Sequence, residues 1–451
     1  MKPSTWEKYN LPVPRYTSYP IVPDWKTELF DADEARKRFV EETRQQGGFA
    51  MYIHLPFCES LCTYCGCNKR ITKNHLVERP YINNILKEYN MYRALIDKDV
   101  QITGIHLGGG TPTFFSPENL AWMLEELLHS PHVPPGEMYS FEAHPANTTR
   151  EHLQVLYDAG FRRLSLGVQD FDPKVQTAIH RFQTVEDVDR VCREAREIGY
   201  TSINFDLIYG LPFQHPDTFA DTLNKTIGLQ PDRLAFYSYA HVPWTSPGQR
   251  AYDENDLPDP ASKLKLHHMG REAFLKAGYA DVGMDHFVFP DDSMFRDREE
   301  GNLHRNFMGY THKREQLLLG LGTSSISDVG GAYWQNEKKN EVYQKMLRED
   351  EWPVIKGHLV SDSERYTREI IQSIACFRTA KWNVDTQKWL EESNRYTMLE
   401  TMEFDGLITL RHQGLDLTPA GTTFLRNVCS VFDVNYPLLD VKPPQRSSQA
   451  I

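Results

Sequence analysis

The sequence predicts an α/β fold: a partial (β/α)6 barrel with an N-terminal segment before it and a small, mostly helical domain after it. Two observations predict this. Between Phe49 and Tyr239 six short apolar stretches alternate with helical patterns, and after Leu359 that alternation gives way to helical patterns alone. The chain divides accordingly into a segment at 1–48, a barrel with its extension at 49–358, a helical and winged-helix-like domain at 359–440, and a flexible tail at 441–451.

The expected strands are Ala50–His54, Gly104–Leu107, Met138–Ala143, Arg163–Val168, Ser202–Tyr209 and Arg233–Tyr239. Each is short and rich in Ile, Leu, Phe or Tyr, as strands covered on both faces tend to be. Between them, Glu151–Gly160 places apolar residues at helical spacing and stops at a glycine, and Val185–Ile198 does the same before Gly199. Asp217–Leu229 follows Pro216 and ends before Pro231. Strands alternating with helices imply right-handed βαβ units and a parallel sheet, and such barrels place their chemistry at the carboxyl ends of the strands. In the last domain, helices are expected at Thr367–Phe377, Asp385–Glu391 and Tyr396–Asp405, followed by the apolar run from Leu407 and a final helix.

The 451 residues are 40% hydrophobic, 12% aromatic and 25% charged, the make-up of an ordinary globular protein. A formal net charge of −12 argues against a nucleic-acid partner, because phosphate-binding surfaces concentrate Lys and Arg. No run of apolar residues approaches the roughly 20 that cross a bilayer, and Met1–Asn10 lacks the apolar core of a signal peptide, so a cytoplasmic protein without membrane insertion is expected. Nothing in the pattern calls for an oligomer, and a monomer is expected. Of the seven cysteines, four crowd between Cys58 and Cys67, which in a reducing compartment points to metal or catalysis rather than to disulfides.

The run His54-Leu-Pro-Phe-Cys58-Glu-Ser-Leu-Cys62-Thr-Tyr-Cys65-Gly-Cys67 follows the first strand directly. Cys58, Cys62 and Cys65 can wrap one face of a 4Fe–4S cubane from a single loop, leaving the fourth iron open for another ligand. A zinc site normally takes a second, separated ligand pair, and none follows here. Glycines at Gly108–Gly110, after the second strand, let backbone approach a ligand closely. Glu142, Gln169 and Asp206 stand at or near the ends of three later strands, where polar groups among apolar neighbours need a partner. Cys192, Cys376 and Cys429 lie in helical patterns and read as core.

The C-x-x-x-C-x-Φ-C pattern, Φ being the aromatic Tyr64, resembles the signature of the radical S-adenosylmethionine superfamily. Further segments narrow the resemblance: Pro14-Arg-Tyr-Thr-Ser-Tyr-Pro20, Cys65-Gly-Cys67-Asn-Lys69, His106-Leu-Gly-Gly-Gly-Thr-Pro-Thr113, Gly167-Val-Gln-Asp-Phe171, Asp206-Leu-Ile-Tyr-Gly-Leu-Pro212 and His304-Arg-Asn-Phe-Met-Gly-Tyr310. Collinear from about Pro14 to Phe432, they are similar to the oxygen-independent coproporphyrinogen III oxidases.

That resemblance implies a radical SAM barrel holding a 4Fe–4S cluster and two molecules of S-adenosylmethionine. It implies that the cofactor lies against Tyr52, Tyr64, Gly109, Gly110, Thr111, Glu142, Gln169, Arg181, Asp206, Ala240 and Ile326, with Cys67 and Tyr64 in catalytic roles. At His144 the sequence departs from the aspartate expected there. The implied substrate is coproporphyrinogen III, two of whose propionates become vinyl groups by the action of a 5′-deoxyadenosyl radical, with an electron donor serving the cluster. Four substrate carboxylates call for cationic anchors, for which Arg15 and Arg305 with His304 are candidates, and Tyr16, Tyr19 and Tyr310 could line an aromatic wall. The alternatives are a haem chaperone and a haem-degrading relative. The presence of both the Pro14–Pro20 segment and Cys67 separates the chain from the chaperones.

Overall fold

The computed structural model describes residues 7–128, 139–313 and 317–437. Six strands form its centre: β1 (Gly48–Leu55), β2 (Gln101–Gly109), β3 (Tyr139–Ala143), β4 (Phe161–Gln169), β5 (Ser202–Tyr209) and β6 (Arg233–Ser238). They lie side by side in chain order, each parallel to the next. Parallel neighbours require crossovers, and helices supply them: α1 (Glu78–Arg93), α2 (Pro117–Leu128), α3 (Arg150–Asp158), α4 (Val185–Ile198) and α5 (Pro216–Gly228).

The helix ends follow from local chemistry. At the start of α4 the Thr184 hydroxyl accepts from the Asp187 N–H at 3.0 Å, while the Asp187 carboxylate accepts from the Thr184 N–H at 2.9 Å. The same helix stops at Gly199, whose φ of 118° a residue with a Cβ would resist. Its inward residues, Val188, Val191, Cys192 and Ala195, are buried against the sheet.

Six further strands lengthen the sheet to twelve. On the β6 side β7 (Ala280–Val282) and β8 (His286–Val288) add antiparallel, and between them and the rest of the extension β9 (Leu303–Asn306) and β10 (Gly309–His312) form a separate hairpin. On the other side β11 (Leu318–Leu321) pairs parallel with β1, and β12 (Ile326–Asp328), β13 (Ala332–Asn336) and β14 (Val354–Leu359) continue antiparallel. The sheet ends in β7 and β14, so the barrel is partial. The six expected strands are there, with β5 matching at both ends. Met138, the expected start of β3, lies outside the described residues, as does the tail 441–451.

Beyond Leu359 come α6 (Asp362–Phe377), β15 (Thr379–Lys381), α7 (Val384–Glu392), α8 (Arg395–Phe404), β16 (Ile408–Arg411), β17 (Gly414–Leu417) and α9 (Leu425–Val431). The three strands pair antiparallel in the order β15-β17-β16, giving the helix–strand–helix–helix–strand–strand succession of a winged helix.

The N-terminal segment is packed into the seam between this region and the barrel. Arg426 donates to the carbonyls of Val13 and Pro14, Asn427 to that of Tyr9, and Tyr436 to that of Pro12. Tyr16 donates to Asp433 at 3.0 Å, and Trp25 stacks on Tyr333 with ring centroids 5.4 Å apart. A fully buried carboxylate, Asp328 on β12, takes both prongs of the Arg368 fork from α6.

Removing one partner of a buried ion pair leaves the other charge without compensation. Asp328→Asn therefore lowers stability by about 3 kcal/mol, measurable as a shift in the denaturant midpoint.

Candidate active site

The cysteine loop leaves the carboxyl end of β1, and the glycine turn Gly108–Gly110 leaves that of β2 beside it. Backbone bonds tie the two: the Gly110 N–H donates to Leu55 and the Thr111 N–H to Phe57. Only glycine fits there. Gly109 has φ of +110°, and a Cβ on it would lie 2.6 Å from the His54 ring. The Thr111 hydroxyl reaches Cys58 Sγ at 3.4 Å, and Arg181 Nη1 reaches Cys62 Sγ at 3.7 Å.

These groups stand over a cavity of about 560 Å³ that descends inside the barrel. On β3, β4 and β5 its wall carries polar residues with a period of two, because alternate residues face the same side. His106 comes from β2, Ser140 and Glu142 from β3, Arg163 and Ser165 from β4, and Asn204 and Asp206 from β5. The strand register sets these side chains next to one another: His106 opposes Ser140, Glu142 opposes Ser165, and Ser165 opposes Asn204. His106 Nδ1 shares a hydrogen bond with the Ser140 hydroxyl at 2.8 Å, and its Nε2 faces Glu142 at 3.5 Å. The Gly109 N–H donates to the second Glu142 oxygen at 3.3 Å. Asp206 accepts from Ser165 and Asn204, each at 3.0 Å.

The electrostatics follow. Burial raises the Glu142 carboxyl, but its bonds to His106 and Gly109 outweigh that and hold it below the usual range. Asp206 is pushed up to about 6, first by burial and then by the Glu142 charge. His144, which also lines the cavity, is lowered to about 3 by burial and then by Arg181, so it presents a neutral ring where an aspartate would bring charge. The Cys65 thiol is drawn down to about 6, chiefly by the hydrogen bond from Cys67, with Lys69 and Arg181 also favouring the thiolate against burial.

The expected site residues distribute as follows. Cys58, Cys62, Cys65, Cys67, Tyr64, Gly109, Gly110, Thr111, Glu142, Gln169, Arg181 and Asp206 all line the one cavity. Tyr52, Ala240 and Ile326 do not. Tyr52 opposes His106 in the register and stacks on it at 5.9 Å, beside the lined wall. The Ala240 carbonyl shares the Gln249 amide with that of Tyr64, and Ile326 packs beside Trp25, Tyr333 and Val360. His304 lines neither this cavity nor its neighbour, since it and Arg305 are consecutive on a strand and face opposite ways.

Several wall residues escaped the sequence reading: His106 as a bridge, Ser140, Ser165, Asn204 and Tyr237. Their signal was the polar i, i+2 pairs, Ser140/Glu142 and Asn204/Asp206, inside strands expected to be apolar throughout.

The donors fit a cubane and a polar organic ligand. Among the described residues no three His, Cys, Asp or Glu side chains converge on a single ion. Thiolates that hold a cubane each bind a different iron and stand further apart. Gln169 Oε1 and Asn204 Oδ1, both on the cavity wall, are buried without a hydrogen-bond partner, as acceptors awaiting a ligand's hydroxyl or ammonium would be.

A partial parallel barrel with a three-cysteine loop over its carboxyl end defines the radical SAM class, and residues 52–226 match the radical SAM superfamily. The chain is 37% identical to the oxygen-independent coproporphyrinogen III oxidase of Pseudomonas aeruginosa, over 98% of this chain and 97% of that one. It is 35% identical to the same-named protein of Salmonella typhimurium over 95% and 94% of the two chains. The solved structure of coproporphyrinogen III oxidase from Escherichia coli, a radical SAM enzyme, superposes with a TM-score of 0.86 at 33% identity, covering 93% of this chain and 97% of that one. The chain belongs to the oxygen-independent coproporphyrinogen III oxidase family and is a radical SAM oxidoreductase.

The raised Asp206 carboxyl fixes the sign of a pH effect. Ionising it is harder in the folded protein, so its contribution to the stability of the ligand-free protein falls as pH rises from about 4 to about 6. Asp206→Asn removes that loss. The stability difference between variant and native protein should grow over this window and level off near 2 kcal/mol above it, the wet cavity reducing the full value; parallel denaturation curves at pH 4, 5, 6 and 7 check it, and a difference that does not change with pH would remove the effect.

Proposed function

We propose that the chain converts two propionate side chains of coproporphyrinogen III into vinyl groups, releasing two molecules of carbon dioxide and giving protoporphyrinogen IX without oxygen. The observation that carries this reading is the convergence of Cys58, Cys62 and Cys65 with a polar barrel wall on one cavity, in a chain that aligns end to end with the oxidase family. Each conversion removes one hydrogen atom from the propionate β-carbon, carbon dioxide, and one electron, which passes to an acceptor. Breaking an unactivated C–H bond is beyond ordinary acid–base groups, so the hard chemistry falls to a cofactor and the protein's task is placement. When bound, a 4Fe–4S cluster and S-adenosylmethionine supply a 5′-deoxyadenosyl radical for that abstraction.

Cys58, Cys62 and Cys65 would hold the cluster, with Thr111 and Arg181 steadying two of the sulfurs. The backbone of Gly109 and Gly110 lets the methionine end approach, and Glu142, Gln169 and Asp206 offer acceptors to its ammonium and ribose hydroxyls. A cavity of about 560 Å³ suits small-molecule ligands, and a second S-adenosylmethionine would lie beside the first, toward Tyr64. Cys67 is open to the cavity and is left over once three thiolates are counted, so its thiol is available to the reacting substrate. Residues 1–48 would cover the substrate, and 359–440 would close the seam behind them. A reduced thiol cluster of this kind belongs in the cytoplasm, supplied by an electron donor.

Substitutions in the loop test the reading. Cys58→Ala, Cys62→Ala and Cys65→Ala should each lose cluster iron and all S-adenosylmethionine cleavage. Cys67→Ser should keep the iron, measured on anaerobically reconstituted protein, and abolish decarboxylation. Iron lost from Cys67→Ser would make Cys67 a ligand and overturn the assignment.

A further inference from the structure

Beside the large cavity lies a second recess of about 70 Å³, and Tyr237 forms part of both walls. Three parts of the chain build it: Arg15 from the N-terminal segment, Arg305 from β9 with Asp281 and Asp285 near β7 and β8, and Arg426 from α9. In a chain of net charge −12 this is a local concentration of guanidinium groups.

The acids of the recess are already engaged. Asp281 pairs with Arg271 at 3.1 Å and also with Arg378, and Asp285 pairs with His286 at 2.7 Å. Arg305 is different. It is 5% exposed, its Nε and Nη1 are buried with no hydrogen-bond partner, and among the described residues no carboxylate oxygen lies within ion-pair distance of it, the Asp285 charge acting on it only from farther off. Its guanidinium rests over the Tyr310 ring at 5.4 Å, and its backbone is fixed on both sides by the Gln372 amide. A permanent charge buried with unmet donors is strongly unfavourable unless something completes it, and Arg presents a planar fork that matches a carboxylate. Arg15 donates to the Ser238 carbonyl at 3.0 Å, and Arg426 to backbone carbonyls of the N-terminal segment, so both are held at the rim. Nearby, Lys263 is lowered to about 7 by burial and then by Arg426 and Arg15, a mutual repulsion that an anion would relieve.

We infer that this recess takes one carboxylate of the substrate, with the Arg305 fork as its principal contact and Arg15 and Arg426 at its rim. The inference rests on the proposed reaction, in which two of four propionates survive and must be held while the others react. The size agrees. About 70 Å³ is room for more than one water and so for a carboxylate, and it is far smaller than the neighbouring cavity. The shared Tyr237 would let a tetrapyrrole lie in the large cavity with one propionate turned into the recess. Because the three contributing segments are distant in sequence, the anion would also fasten the N-terminal segment and α9 to the barrel.

The test is an anaerobic binding titration with three ligands: coproporphyrinogen III, its tetramethyl ester, and S-adenosylmethionine. Native protein should bind the acid more tightly than the ester. Arg305→Met should weaken the acid at least about tenfold, the usual worth of a charged hydrogen bond, while leaving the ester and S-adenosylmethionine unchanged; Arg305→Lys should fall between, having charge without the fork. Unchanged acid affinity in Arg305→Met overturns the assignment, as does loss of S-adenosylmethionine binding alone, which would give the recess to the cofactor's carboxylate. Should the variants fail to fold, the native protein decides, since an ester bound as tightly as the acid also overturns it. Native protein that binds no coproporphyrinogen III in either form would sink the substrate reading itself, a result distinct from an Arg305 effect.

Discussion

His106, Ser140 and Glu142 lie side by side on β2 and β3 and satisfy one another inside a barrel, and much else depends on that pairing. A parallel sheet covered by helices normally buries apolar residues on both faces. Here the inner face carries acids, hydroxyls and amides, each of which would be costly to bury alone. The register puts them in reach of each other, so most are paired, and the ones left over, Gln169 Oε1 and Asn204 Oδ1, point to where a ligand completes the wall. The same network fixes the loops above. Glu142 holds the Gly109 N–H, the glycine turn hydrogen-bonds to the backbone on either side of Pro56, and the cysteine loop is thereby set over the cavity.

A second constraint acts at the seam. Ahead of its helix at Ala32–Gln46, the N-terminal segment has few backbone partners of its own and is held by α9, the residues just after it and the barrel edge, through Asn427, Tyr436, Asp433 and Tyr333. The ion pair of Asp328 with Arg368 ties the C-terminal region to β12. Such an arrangement makes the region around the cavity one packed unit, which suits chemistry that must exclude water and oxygen. Arg305 stands at the junction with two of its donors unmet, where packing alone would have favoured an apolar residue.

Much of this was legible in the sequence. The six central strands and the Val185–Ile198 helix could be read because their apolar runs are bounded by Gly, Pro and capping residues. The cysteine loop could be read because its spacing admits few other uses. The extension from 280 to 359 was not legible: its strands run three to six residues, so each is too short to show a period. The polar wall was half legible. Glu142 and Asp206 stood out as acids, but Ser140, Ser165 and Asn204 look like ordinary strand polars until the register aligns them. Arg426 gave no signal, because a basic residue in a terminal helix reads as surface, and only the fold turns it toward Arg15.

The most direct test is an anaerobic turnover of reconstituted protein with coproporphyrinogen III, S-adenosylmethionine and a strong reductant, followed by chromatography of the porphyrins and of 5′-deoxyadenosine. Protoporphyrin, after oxidation of the product, appearing together with 5′-deoxyadenosine is the expected result. Deoxyadenosine formed without any decarboxylated porphyrin would contradict the substrate assignment while leaving the radical SAM fold and site as described.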